Sequence, residues 1–137
     1  MIEIYTDGAC SGNPGPAAIG VVGYQDSKEF FTISRSIGEA TNNIAEYKAL
    51  IAAIKHSQKE GYDHIKIYSD SELLVKQMCG KYKVKDLNLK KLWTEAIGLS
   101  KKIKSIEIVH IRREKNSRAN DLAQGAVIKK NTDTKEV

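Results

Sequence analysis

The chain has 137 residues, a length that suits one domain around a single core. Apolar residues make up 41% and charged residues 28%, which excludes a disordered chain, and no apolar run approaches the ~18 residues of a membrane span. The net charge of +5 fits a polyanionic partner but also fits many ordinary small domains.

Two cysteines, Cys10 and Cys79, stand far apart. They make neither a disulfide framework nor a CxxC metal spacing, and so point to a reducing, cytoplasmic setting. Strand-like residues begin at position 2 and leave no room for a signal peptide ahead of them. Ile2–Thr6 is expected to be a strand ending on Asp7. Gly8–Pro16, rich in Gly and Pro, is expected to be a loop. Ala17–Tyr24 and Glu29–Ile37 are strand-like runs on either side of a polar turn. Together the three strands predict an antiparallel meander.

Thr41, Asn42 and Asn43 lead a helix that runs to about Glu60, since such side chains accept the free N–H groups of a first turn. Ala45, Ala49, Leu50, Ala53 and Ile54 form its apolar stripe. Glu46 falls inside that stripe, and an inward carboxylate needs a partner or a metal. The spacing then predicts a strand over His64–Ser69 ending on Asp70 and a short helix over Ser71–Gly80. A basic connection follows at Lys81–Asn88, then a helix over Leu89–Ile103 and a fifth strand over Ser105–Ile111. Arg112–Ser117 is expected to be a charged loop and Arg118–Lys130 the last helix. The domain is therefore expected to span 1–130, with a polar tail at 131–137.

One internal echo matters. Ile2-Glu3-Ile4-Tyr5-Thr6-Asp7 and Ile65-Lys66-Ile67-Tyr68-Ser69-Asp70 share the pattern Ile-x-Ile-Tyr-(Thr/Ser)-Asp. If these segments are parallel neighbours in register, their aspartates end side by side, about 5 Å apart. Glu46, one turn into the crossover helix, could reach the same point. Three converging carboxylates repel one another, and divalent cations best offset that repulsion. Hard oxygen ligands favour Mg²⁺ or Mn²⁺ over zinc. Two such ions roughly 4 Å apart form the apparatus of in-line phosphodiester hydrolysis.

The block from Tyr5 to Pro16, the Thr41-Asn42-Asn43-x-x-Glu46 block and Ser69-Asp70-Ser71 resemble the three catalytic blocks of type 1 ribonuclease H. The likeness runs in order from about Met1 to Lys130. It implies an α/β ribonuclease H-like fold, with a five-stranded mixed sheet of order 3-2-1-4-5 and helices on both faces. It also implies endonucleolytic cleavage of the RNA strand in RNA–DNA hybrids with two Mg²⁺ or Mn²⁺ ions, by a monomer with no obligate protein partner. Asp7, Glu46 and Asp70 carry over as catalytic metal ligands.

The family's fourth carboxylate lies in a pattern like N-x-x-A/C-D-x-L-A. Aligning Asn116, Ala119, Leu122 and Ala123 puts Asn120 in that position, with Asp121 one residue away and about 100° round the helix. Asn120 offers a carbonyl oxygen but no charge, so the second ion is expected to bind more weakly. Many members also carry a histidine in the loop before the last helix; here that loop has none, and His110 lies in the preceding strand. By the same resemblance Cys10, Ser11, Gly12 and Asn13, with Glu46, Ser71 and Glu72, line the RNA side, where the 2′-OH is read. Thr41, Asn42 and Asn43 look like a DNA-phosphate pocket, although simple helix capping accounts for the same residues. Lys81, Lys83 and Lys85 around Tyr82 match a shortened basic protrusion or a solvated turn. Asn120 and the missing loop histidine also motivate a rival reading, a weakened module that binds hybrid or double-stranded RNA without cutting it.

Overall fold

The computed structural model describes the backbone of residues 1–136 and the side chains of residues 1–127. Five strands form one mixed sheet: β1 (Ile2–Cys10), β2 (Gly15–Gln25), β3 (Lys28–Ala40), β4 (His64–Ser69) and β5 (Ser105–His110), in the order β3-β2-β1-β4-β5. The first three are antiparallel, and β4 and β5 run parallel to β1. Four helices complete the fold: α1 (Asn42–Glu60), α2 (Glu72–Met78), α3 (Leu87–Ser100) and α4 (Ser117–Glu136). The expected meander, crossover helix and strand order are all present.

The main core lies between the sheet and α1–α3. Ile4, Val21, Ile65 and Ile67 on the strands meet Leu50, Ile54, Leu74 and Ala96 on the helices. Period-2 alternation sends these strand residues to one face, while the 3.6-residue period of α1 supplies the opposing stripe. Gln77 ties the three helices together where apolar packing alone could slide. Tyr47 Oη donates to its Oε1 at 2.7 Å, and Trp93 Nε1 donates to its backbone oxygen at 3.1 Å. Both ends of α1 are closed as its sequence implies. Thr41 Oγ1 accepts from Ile44 N at 3.2 Å, and Gly61 takes a left-handed φ of 75° beyond the last turn.

The opposite face carries α4, which packs on β1, β2 and β3 through a layer of small residues: Ala9, Ala18, Ala123 and Ala126, with Val127. Helical backbone continues to Glu136, past the expected end at Lys130. The polar tail expected at 131–137 falls on residues whose side chains lie outside those described. Among the described residues, no helix is long and apolar enough to cross a membrane.

Two glycines, paired diagonally on neighbouring strands, set how closely the helices approach the sheet. A Cβ on Gly8 would overlap the backbone of Ala45 and Glu46 in α1, and one on Gly20 would overlap Ala119 and Ala123 in α4. We expect Gly8→Ala and Gly20→Ala each to destabilise the fold by ~1–3 kcal/mol or more, read from urea denaturation. Gly98→Ala is the control, because its added methyl meets nothing within 4 Å and α3 gains ~0.5–1 kcal/mol of helix preference.

Candidate active site

The site begins with the register of two strands. β1 and β4 pair Ile2 with Ile65, Ile4 with Ile67, Tyr5 with Tyr68 and Thr6 with Ser69. This is the register implied by the echoed pattern. The parallel ladder ends there, so Asp7 and Asp70 leave it at the same level. Asp7 is nonetheless inside a strand, because β1 continues against β2, with Asp7 opposite Gly20 and Cys10 opposite Ala17. The loop expected at Gly8–Pro16 therefore shrinks to residues 11–14. Glycine and proline composition signals a turn locally but is blind to a partner strand that pairs the residues around it.

Glu46 arrives from the first turns of α1. Its Oε1 accepts from Gly8 N at 2.6 Å, a bond that requires the close approach glycine permits. Carboxylate oxygens of Asp7, Glu46 and Asp70 all lie within 4.8 Å of one another. Asn120, on α4, donates Nδ2 to Asp7 Oδ2 at 2.8 Å. Asp121 is exposed, and it is Asn120, the residue the alignment through Asn116 and Ala119 puts in the fourth position, that bonds Asp7.

Asn116 is a site residue the motif reading used only as an anchor. It is 1% exposed, and its Nδ2 donates to Asp70 Oδ2 at 2.9 Å and to Thr6 O at 2.8 Å. One amide thus joins the end of β1, the aspartate after β4 and the approach to α4. Its Oδ1 has no hydrogen-bond partner among the described residues. The cleft over the carboxylates is about 390 Å³ and is also lined by Arg113 and Gln124. Arg113 stands in the charged loop that lacks the family's histidine, whereas Gln124 did not stand out in the sequence, because an exposed helix glutamine carries no spacing signal.

Electrostatics follow from this crowding. Burial is the largest cause raising the Asp7 carboxyl, with Asp70 adding to it, while the Asn120 bond opposes the rise. Glu46 is raised well above the ordinary carboxylate range, first by burial and next by the Asp7 charge. Without a cation the pair therefore gives up its proton less readily than an isolated carboxylate would.

The other expected residues divide into those held by the fold and those left open. Asn42 N donates to Asn13 Oδ1 at 3.0 Å, and Cys10 Sγ donates to Asn42 Oδ1 at 2.9 Å. The glycine-rich turn is thereby tied to the start of α1. Thr41 caps that helix, and Asn43 is exposed beside it. Ser11 and Gly12 are exposed at the turn, where Gly12 has a φ of 90°. Ser71 caps α2, its Oγ accepting from Leu74 N at 3.2 Å. Glu72 points outward and pairs with Lys76 at 2.7 Å. His110 closes β5 opposite Ser69 and is exposed, so it is not part of the core.

A family model described as reverse transcriptase-like matches residues 5–126. Among solved structures, ribonuclease H1 from the halophilic archaeon Halobacterium salinarum superposes with a TM-score of 0.91 at 39% identity, covering 93% of this chain and 98% of that one. The chain belongs to the type 1 ribonuclease H family. LC11-RNase H1, solved in complex with an RNA/DNA hybrid, gives a TM-score of 0.89 at 43% identity over 94% of this chain and 98% of that one. Among curated relatives, the bifunctional protein Rv2228c of Mycobacterium tuberculosis is 38% identical over 128 residues, which are 92% of this chain but 35% of that protein. The ribonuclease HI of H. salinarum is 39% identical over 127 residues, 92% of this chain and 64% of that protein. The chain thus spans about one to two thirds of the length of these curated relatives. Against the family pattern, the neutral Asn120 at the fourth position is the departure that bears on chemistry.

Asn116→Ala removes the donor to both Asp70 and Thr6 O, and should lower stability by ~1–3 kcal/mol in urea denaturation. The shared proton gives a second expectation. A carboxyl raised in the folded state contributes stability below the unfolded value, and that contribution is lost as pH rises through the folded value. A divalent cation replaces the proton. The rise in thermal midpoint on adding Mn²⁺ should therefore grow as pH is raised above the ordinary carboxylate range, and should disappear in Glu46→Gln.

Proposed function

We propose that this chain is an endoribonuclease that hydrolyses the RNA strand of RNA–DNA hybrids with the help of bound divalent cations. The observation that carries the reading is the convergence of Asp7, Glu46 and Asp70 within 4.8 Å at the end of a parallel strand pair, in an open cleft. The donor set fits the cation. All three groups are hard oxygen ligands, and Cys10 at the rim is engaged as a donor to Asn42. Such a set suits Mg²⁺ or Mn²⁺ and not zinc. When bound, two such ions would supply an activated water and charge stabilisation for the leaving oxygen.

The residues of the chain do the positioning. Gly8 N–H holds one Glu46 oxygen and Asn116 holds one Asp70 oxygen, while Glu46 and Asp7 are hydrogen-bonded to each other where an ion would take the place of their proton. Asn120 occupies the fourth position with no charge, and without a cation it presents its donor end to Asp7. As a ligand it would turn its Oδ1 inward, so we assign it a weak share in the second ion. We assign the turn at Cys10–Asn13, with Ser71 and Glu72, to the RNA side, where the 2′-hydroxyls would be read; Cys10 lines the cleft. Thr41, Asn42 and Asn43 present the start of α1 to a DNA-strand phosphate, while Thr41 also caps the helix. That LC11-RNase H1 was solved with an RNA/DNA hybrid supports the substrate class. The free thiols of Cys10 and Cys79 agree with a cytoplasmic enzyme, which we take to act as a monomer.

The neutral Asn120 and the absence of a histidine in the loop before α4 support the rival reading, a hybrid-binding module with weak catalysis. One assay separates the two. Incubated with a hybrid and Mg²⁺ or Mn²⁺, the protein should cleave the RNA strand, and Asp7→Asn should reduce the rate roughly a hundredfold or more. RNA cleavage no faster than in Asp7→Asn overturns the nuclease reading and leaves the binding module. Asn120→Asp should tighten Mn²⁺ binding about tenfold or more in a calorimetric titration, since it restores a charge beside the second ion.

A further inference from the structure

On the α4 side of the sheet, three tyrosines run across neighbouring strands. Tyr5 on β1 stacks on Tyr68 of β4, with centroids 4.6 Å apart and planes at 17°. Tyr24 on β2 meets Tyr5 edge-on at 5.5 Å and 84°. Lys66 Nζ lies 5.4 Å from the Tyr68 ring centre and closes the row. The rings are half-buried and keep part of their surface open. The main core does not use them, because Ile65 and Ile67 alternate to the other face.

Between Tyr5 and Tyr24 on one side and the start of α4 on the other is a cavity of about 330 Å³, within the ~300–1,000 Å³ range of small-molecule sites. Glu3 lies on its floor. Tyr68 Oη donates to Glu3 Oε2 at 2.5 Å, while Oε1 has no hydrogen-bond partner among the described residues. Lys115 and Ser117 form the rim. Ser117 opens α4, where backbone N–H groups favour an anion. Arg118, on the same rim, is held by Glu29 through bonds of 3.1 and 2.9 Å, which leaves Lys115 as the uncommitted cation. Asn116, 1% exposed, also lines the cavity, and its buried Oδ1 has no hydrogen-bond partner among the described residues. The same Asn116 donates to Asp70, so one side chain links the lining of this cavity to the carboxylate site.

We propose that this cavity is a guanine-nucleotide subsite, with the base against Tyr5 and Tyr24, its Watson–Crick edge on Glu3, and its phosphate at the start of α4 beside Lys115. Tyr24, at the end of the row, offers its ring to any base, because every base has a flat π-face. The carboxylate supplies the selection. Guanine alone among the bases presents two adjacent N–H donors on that edge; Glu3 Oε1 is open to one, and Oε2, which already accepts from Tyr68 Oη, keeps a lone pair for the other. Adenine presents an acceptor in the same place and would be repelled. The nucleotide could be free, or it could be an unpaired guanosine at the end of a strand whose hybrid portion lies in the cleft.

The test is made on the full chain with a chelator present, so that neither metal nor cleavage contributes and its result is independent of the nuclease reading. Amide resonances are followed while GMP or AMP is added, and then while hybrids ending in an unpaired guanosine or cytidine are added. GMP should shift Tyr5, Tyr24 and Ser117, with AMP binding at least about fivefold more weakly. Glu3→Gln, which keeps size and an acceptor for Tyr68, should remove that preference. Tyr24→Ala should weaken both nucleotides by about fivefold or more. A response to the guanosine overhang but not to GMP identifies a strand end as the source, and an equal response identifies the free nucleotide. If neither probe moves these resonances, or if Glu3→Gln leaves the guanine preference intact, the subsite does not exist.

Discussion

Mutual repulsion among Asp7, Glu46 and Asp70 is the constraint that the surrounding structure must meet. Three carboxylates with oxygens inside 4.8 Å and partial burial would drive one another apart or take up protons. The fold meets this with neutral donors. Gly8 N–H, Asn120 Nδ2 and Asn116 Nδ2 each bond one carboxylate, on Glu46, Asp7 and Asp70 in turn. These donors come from a strand, a helix and the turn before that helix. The site therefore exists only when β1, β4, α1 and α4 are assembled together.

Assembly to this tolerance depends on small residues. Gly8 brings α1 near enough for Glu46 to reach the end of β1, while Gly20 and the alanine layer bring α4 near enough for Asn120 to reach Asp7. A larger side chain at either glycine would move a ligand away from its companions as well as weaken packing. Stability and site geometry are in this respect one property. The Gln77 network has a related role on the other face, because it pins α2 and α3 to α1 and so fixes where the basic connection leaves the body.

Asn120 changes the balance of this site without changing its shape. A carboxylate in its place would add to the repulsion at Asp7, whereas the amide relieves it by donating a hydrogen bond. The same exchange removes charge from the place where a second cation would be held. On the proposed reading, better accommodation without metal and weaker attraction for metal follow from the same residue.

Much of this was legible in the sequence. The period of each apolar run gave the elements, and the repeated Ile-x-Ile-Tyr-(Thr/Ser)-Asp pattern gave a parallel register, because equal strands in register put equal residues at equal height. Glu46 was legible because a carboxylate in an apolar stripe breaks a local rule. Tertiary structure alone decided the rest. It turned much of the supposed loop after Asp7 into strand, since pairing depends on a neighbour that local composition does not encode. It made Asn116 a bridge between Thr6 and Asp70, a contact across 110 and 46 positions that no spacing announces. It also set Tyr5, Tyr24 and Tyr68 in one row, because side chains separated along the chain become neighbours only when their strands lie side by side.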